Sequence, residues 1–281
     1  AGLRVVVLEA NRIAGGQTQN TTAKITAQHG YIYRPLIEKH GEDKAWQYAQ
    51  ANAAAIEDYR RIIRDKRISC AFEEQDAYLY SRSNAALMRD EAEAARLLGL
   101  PSSFTEDVPL PFPTAGAVKF AHQAQFNPLQ FLQGVARELT IFENTRVLSV
   151  EENQLSTADA AVSADHIVFA CHYPFINFPG LYFTRMHQER SYVLALENAP
   201  FFDGMLIDEG AGGYSFRHYG PYLLLGGGSH RTGENTGGRY DDLRRKAEEW
   251  FPQAREIARW SAQDVITADG VPYIGRFAAS R

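Results

Sequence analysis

Arg4-Val5-Val6-Val7-Leu8-Glu9 is the stretch on which the reading of this fold turns. A short, continuously apolar run closed by an acid predicts a strand buried on both faces of a parallel sheet. Parallel neighbours are joined by helical crossovers, so the run calls for a preceding strand, a glycine turn and a helix whose tail would be Ala1-Gly2. The alternative is an edge strand that simply opens the domain.

Working outward, Glu9 is the first informative polar residue. An acid ending the second strand of a dinucleotide-binding fold accepts hydrogen bonds from the adenosine ribose, although a lone Glu after a strand also fits a solvent-facing residue. Ala14 to Lys24, AGGQTQNTTAK, is small, polar and flexible. Such a segment lets backbone amides approach a phosphate closely, and it is equally compatible with an ordinary loop.

Further along, helical signals run from Pro35 to Lys66 in two pieces broken at Gly41, with Glu42 and Asp43 charging the first turn of the longer one. Strands are expected at 77–81, 117–120, 146–151 and 166–170, and helices at 84–98 and 129–139, the latter started by Asn127-Pro128. From Arg190 to Leu225 the pattern changes to short strands at 191–196, 205–208 and 222–225, which suggests an antiparallel sheet beside the parallel one. Gly226 to Gly233 follows a strand and superficially suggests a phosphate loop, but it lacks the Gly-Lys-[Ser/Thr] ending and is given a structural reading.

Composition narrows the function classes. The chain has 281 residues, 45% of them hydrophobic, enough for a substantial core in one large or two moderate domains. A net charge of −5 with both signs interspersed argues against a nucleic-acid-binding surface. The two cysteines, Cys70 and Cys171, are far apart, which argues against a disulfide scaffold and against a cysteine-held metal, so no metal site is expected. No apolar run approaches the roughly 20 residues of a membrane span. The expectation is a soluble, cytoplasmic protein. Asn20-Thr21-Thr22 fits a glycosylation sequon that such a location would leave unused.

At this point the chain resembles the D-amino-acid oxidase superfamily of FAD-dependent oxidoreductases. The resemblance is carried by Val5-Val6-Val7-Leu8-Glu9-Ala10, the Gly15-Gly16 loop with Thr21-Thr22, Arg146-Val147, Ile167-Val168-Phe169-Ala170, and Asp269-Gly270-Val271-Pro272-Tyr273-Ile274-Gly275. Thr22-Ala23-Lys24-Ile25-Thr26-Ala27-Gln28-His29-Gly30 and Trp260-Ser261-Ala262-Gln263-Asp264 point to the glycine/D-amino-acid-oxidase-like, deaminating group, some of whose members carry a Rieske domain. The resemblance runs collinearly over the whole chain.

It implies FAD as cofactor. Glu9 and Ala10 would meet the adenosine ribose, and Gly15, Gly16, Thr21, Thr22 and Lys24 would run along the pyrophosphate towards the flavin. Val147 would lie on the adenine, Ala170, Cys171 and His172 would cross near the dinucleotide, and Gly270, Pro272, Ile274 and Gly275 would approach the ring. His172 fits a surface histidine as well. In related amine oxidases a His-Gly step lines the substrate cavity, so His29 is a candidate proton acceptor or polar wall, unless it is structural. Arg34 and Arg190 are candidates to clamp a substrate carboxylate, or ordinary interface arginines, and Tyr192 lies on an expected cavity strand.

The fold expected is therefore α/β, an incomplete parallel FAD-binding (Rossmann-like) sheet with a mixed, mainly antiparallel substrate domain. The FAD-binding part is assigned to 1–76, 127–184 and 262–281, and the substrate domain to 77–126 and 185–261. The implied activity is oxidation of the C–N bond of an amine or amino acid by hydride transfer to flavin, with the electron acceptor left open. Two alternatives stand beside it: an FAD dehydrogenase of a hydroxy acid, and a non-catalytic fragment. The Gly-x-Gly-x-x-Gly turn is absent from these residues, as is the glycine-rich segment that family members place after Gly275. The isolated chain is accordingly expected to hold FAD poorly.

Overall fold

The structure, a computed structural model, describes residues 2–178, 180–210, 212–234 and 237–276. The chain opens with β1 (Val6–Leu8), one turn of 3-10 helix (Gln17–Asn20) and the two-residue β2 (Lys24–Ile25). Two helices follow, α1 (Tyr33–His40) and α2 (Glu42–Asp65), then β3 (Glu73–Ser81), α3 (Ala85–Leu97), β4 (Ser102–Thr105) and β5 (Gly116–Gln125). Next come α4 (Pro128–Ala136), β6 (Thr140–Phe142), and a meander of β7 (Ser149–Glu151), β8 (Gln154–Ser156) and β9 (Ala161–Ser163). The last part holds β10 (Met186–Glu197), β11 (Met205–Asp208), β12 (Ser215–Tyr219), β13 (Tyr222–Arg231), α5 (Arg239–Trp250) and β14 (Arg255–Thr267).

Local chemistry sets several boundaries. Gly41 adopts φ 82°, a conformation that breaks α1 from α2 at the expected place. Asn84 Oδ1 accepts from the Leu87 amide at 3.0 Å and starts α3. Asn127 Oδ1 accepts from the Leu129 and Gln130 amides at 3.1 Å, with Pro128 in the first turn where its missing N–H costs nothing. The start of α1 is capped from a distance. Fully buried Glu91 on α3 accepts from the amides of Ile32 and Tyr33 through Oε1 (2.9 and 2.7 Å) and of Arg34 through Oε2 (2.9 Å).

The fold is α/β. A small parallel sheet pairs β1 with β6, Val6 opposite Thr140 and Leu8 opposite Phe142. The main sheet has nine strands in the path β14-β10-β13-β12-β11-β3-β5-β2, with β4 also on β5. Among the described residues, only its β11–β3 pairing is parallel. Helices α1, α2 and α3 cover one region around Tyr33, Met88, Leu79 and Phe120, while α5 covers another around Phe216, Leu225, Leu243 and Trp250.

The sheet curls until its ends meet. Trp260 Nε1 on β14 donates to the Asn20 carbonyl at 2.8 Å, and the Gln263 amide donates to Gln17 Oε1 at 2.7 Å. The first turn of the chain is thereby tied to its last strand.

Three expectations are corrected. Residues 166–170 form no strand, and Val168 is 85% exposed, because no neighbouring strand among the described residues offers them a ladder. Of 146–151 only Ser149–Glu151 is a strand, and it belongs to the antiparallel meander rather than to the parallel sheet. Where the family resemblance implies a turn from Gly226, the strand runs on, and Gly226, Gly227 and Gly228 lie inside β13. A Cβ on Gly227 would stand 2.8 Å from Tyr214 Cδ1, so close packing selects glycine there. The long β14 and helix α5 were not anticipated.

Candidate active site

Lys24, Gln125, Glu73, Arg217 and Asp264 gather on the inner side of the curled sheet. Strand register puts the first three there: Lys24 lies directly opposite Gln125, and Gln125 directly opposite Glu73. Facing residues on adjacent strands share a face. Gln125 Nε2 donates to Glu73 Oε2 at 2.7 Å, and Lys24 Nζ donates to Thr22 Oγ1 at 3.1 Å. From β12, Arg217 reaches the same region, close enough to feel the charges of both Glu73 and Lys24. From β14, Asp264 faces Lys24 and lies opposite Glu189 on β10.

Arg217 is the residue that sequence reasoning missed. It is 4% exposed, and its Nε and Nη1 have no hydrogen-bond partner. No carboxylate of the described residues lies within ion-pair distance of it. Burial presses the guanidinium down to about 10, opposed by Glu73, and it stays a cation at neutral pH. Its guanidinium lies 5.9 Å from the centre of the Tyr219 ring, and a buried cation with no anion beside it is costly. Lys24 stands beside it, lowered to about 7 by burial and then by Arg217, against the pull of Asp264. The Asp264 carboxyl is raised, chiefly by burial. An isolated arginine in an alternating strand reads as a solvent-facing residue, and only the closed sheet reveals otherwise.

The other candidates fall in several places. Glu9 ends β1; its amide donates to Phe142 O, and its Oε1 accepts from the Asn11 amide at 2.8 Å. Ala10 follows it, partly exposed. Gly15 sits in a turn where a Cβ would meet Arg12 O at 2.9 Å, whereas Gly16 faces open space. Thr21 Oγ1 accepts from the Ala23 amide at 3.0 Å. Val147 is half-buried, and Ala170, Cys171 and His172 are exposed, with His172 close enough to influence Asp264.

His29 and Gly270 meet at one cleft of about 200 Å³, which Tyr31, Pro35, His40 and Asp269 also line. His29 Nδ1 bonds the Tyr48 hydroxyl at 2.9 Å. Although the residue is exposed, crowding of its ring lowers its pKa, so the imidazole is neutral at pH 7. Pro272, Ile274 and Gly275 continue exposed from this point. A larger groove, about 590 Å³, is lined by Arg60, Glu74 and His122 and includes none of the inner-face residues.

The structure does not bring Arg34, Arg190 and Tyr192 to the inner face. Arg34 pairs with Asp90 at 2.7 Å between α1 and α3. Arg190 donates to Ser261 Oγ and Gln263 Oε1, both at 2.9 Å. Tyr192 packs on the α5 side, against Tyr240. Strand alternation separates these two from Glu189 and Val193.

An α/β architecture of this kind, with an acid following a short parallel strand and two buried cations on a curled mixed sheet, suits a flavin-dependent oxidoreductase. The chain belongs to the FAD dependent oxidoreductase (DAO) family, which it matches over residues 1–281. It is 34% identical to a Bacillus subtilis (strain 168) protein described as a Rieske 2Fe-2S iron-sulfur protein, YhfW, over 98% of this chain. The chain spans 57% of that relative's length.

Similar solved structures include glycine oxidase from Geobacillus kaustophilus, with TM-score 0.75, 19% identity, and coverage of 99% of this chain and 80% of that one. L-proline dehydrogenase from P. horikoshii gives TM-score 0.76 at 14% identity, over 98% of this chain and 79% of that one. L-amino acid deaminase from Proteus vulgaris gives TM-score 0.72 at 14% identity, over 99% and 76%. At such identities the likeness is one of fold. The residues present fit the family's cofactor: Glu9 follows strand β1, and Gly15, six residues on, holds a turn that a side chain would crowd. No helix among the described residues is long and apolar enough to cross a membrane.

Proposed function

We propose that this chain contributes the catalytic core of an enzyme that oxidises the C–N bond of an amino acid. The observation that carries the reading is Arg217, a buried guanidinium with unpartnered Nε and Nη1 beside Lys24. A carboxylate is the chemistry that a buried guanidinium with free N–H groups recognises, and binding one would relieve the desolvated charge. Glu9 and Ala10 would hold the adenosine ribose, Gly15, Gly16, Thr21 and Thr22 the pyrophosphate, and Val147 the adenine. Ala170, Cys171 and His172 would line the dinucleotide. Gly270, Pro272, Ile274 and Gly275 would approach the ring from the cleft that His29 shares.

When bound, the flavin supplies a hydride acceptor at N5, and the protein supplies orientation and electrostatics. Arg217 would fix the substrate by its carboxylate, which presents one face of Cα. Closure of β14 over the first turn would keep water from the inner face. Neutral His29 would serve as a polar wall of the cleft.

The test is anaerobic bleaching of the FAD-loaded protein. Glycine, proline and other amino acids of both hands are compared with the matching decarboxylated amines and hydroxy acids. Bleaching by amino acids alone supports the reading. Equal bleaching by decarboxylated amines removes Arg217 from its role, and bleaching by hydroxy acids in place of amino acids replaces C–N with C–O oxidation.

A further inference from the structure

Arg190 stays off the inner face, yet a chain of hydrogen bonds leads from it to the Gly15–Gly16 turn. On the antiparallel pair β10–β14, Arg190 lies directly opposite Gln263 and Tyr192 opposite Ser261, so these side chains share one face. The guanidinium fits that spacing: Nη1 donates to Ser261 Oγ and Nη2 to Gln263 Oε1, both at 2.9 Å. Strand β14 ends the sheet path, with β10 as its one strand neighbour among the described residues. A strand with a single neighbour is a part of a sheet that opens easily. One rigid, planar fork on two of its residues holds it in place.

At Gln263 the hold passes to the loop. The Gln263 amide donates to Gln17 Oε1 at 2.7 Å, and Gln17 opens the 3-10 turn Gln17–Asn20. Within this turn the side chains reach back: Gln19 Nε2 donates to Gly15 O at 3.2 Å, and Asn20 Nδ2 to Gly16 O at 3.3 Å. Carbonyl and N–H of one planar peptide point opposite ways. Fixing the carbonyls of Gly15 and Gly16 therefore fixes the N–H groups of Gly16 and Gln17, the type of donor that a pyrophosphate uses.

We propose that Arg190 is a positioning residue for the cofactor: by holding β14 it keeps Gln263 on Gln17, and so keeps the Gly15–Gly16 turn shaped for the pyrophosphate. This role rests on the assignment of that loop to FAD proposed above. Arg190 touches neither cofactor nor substrate, and its effect travels through Gln263 and Gln17.

The test is a double-mutant cycle on the full chain, read as FAD affinity by titration of flavin fluorescence. Arg190→Met removes both donors, and Gln17→Ala removes the acceptor on the loop. Each alone is expected to weaken FAD binding about tenfold. Arg190→Met in the Gln17→Ala background is expected to cost nothing further, because the path is already cut. An arginine that merely staples the sheet lowers affinity by the same factor in both backgrounds, and that result overturns the proposal. Wild-type affinity in Arg190→Met overturns it as well. Hydrogen exchange on the FAD-free protein gives a readout that needs no cofactor. The Gln263 amide is expected to exchange about tenfold faster in Arg190→Met, and an unchanged rate overturns the proposal. A shifted exchange rate in a chain whose wild type takes up no FAD overturns the cofactor assignment of the loop together with the proposal. No substrate enters either readout, so failure of the amino-acid reading is seen separately, in the bleaching experiment.

Discussion

Trp260 Nε1 donates to the carbonyl of Asn20 at 2.8 Å, joining two residues 240 positions apart. With the Gln263 amide on Gln17 Oε1, this bond holds the proposed cofactor loop against the strand that carries Asp264. Trp260→Phe keeps most of the ring and loses the donor. We expect a cost of about 1 kcal/mol and a fall in Tm of roughly 2–4 °C. FAD affinity, measured by titration of flavin fluorescence, is expected to fall with it. Unchanged affinity would show that the loop is held without β14.

Arg217→Met separates stability from recognition. The substitution removes an unpaired buried charge and leaves an apolar side chain of comparable length, so thermal stability is expected to hold or rise. KM for amino acids should rise by about 100-fold or more. A clear loss of Tm would mean that the guanidinium has structural partners.

Glu91 is expected to matter for folding rather than for chemistry. Glu91→Ala leaves the amides of Ile32, Tyr33 and Arg34 without their acceptor in a buried place. A loss of about 3 kcal/mol in urea unfolding is expected, with Glu91→Gln costing less because one amide oxygen remains. Equal losses for the two variants would count against the capping role.

The acid limb of stability should carry a histidine signature. His218, 5% exposed, lies with its ring between Phe201 at 4.7 Å and Phe202 at 4.9 Å, and burial lowers its pKa. Below about 6.5 the unfolded chain therefore binds a proton that the folded chain refuses, and stability falls as pH drops. His29, also lowered, adds in the same direction. His218→Phe should flatten the decline of the urea midpoint between about pH 7 and about pH 5. A slope as steep as that of the wild type would assign the acid limb to other groups.

Much of the fold was legible because the signals were local. Gly41 marks the break between α1 and α2, and Asn127-Pro128 marks the start of α4, since cap chemistry lies within a few residues of its effect. The family could be read because collinear short motifs need no tertiary knowledge. Arg217 could not be read. Its significance arises from residues far away in sequence, as the charges of Glu73 and Lys24 that reach it show. The facing of Arg190 and Tyr192 depended on the parity of β10, which one residue of slip reverses. Residues 166–170 looked like a strand because apolar runs predict burial, and pairing is a separate condition.

The meeting of the two sheet ends also orders events in time. Gln17 to Lys24 leave the ribosome some 240 residues before Trp260 and Gln263, the groups that fix them. Closing so large a loop is among the slowest steps a chain takes, because entropy is lost before any contact repays it. An unfinished chain therefore lacks the shielded face on which the proposed chemistry depends. In a refolding experiment with pulsed hydrogen exchange, the amide of Gln263 should gain protection in the last phase, together with the appearance of catalysis. The seam thus makes competence a late event of maturation, and partly folded species remain chemically silent.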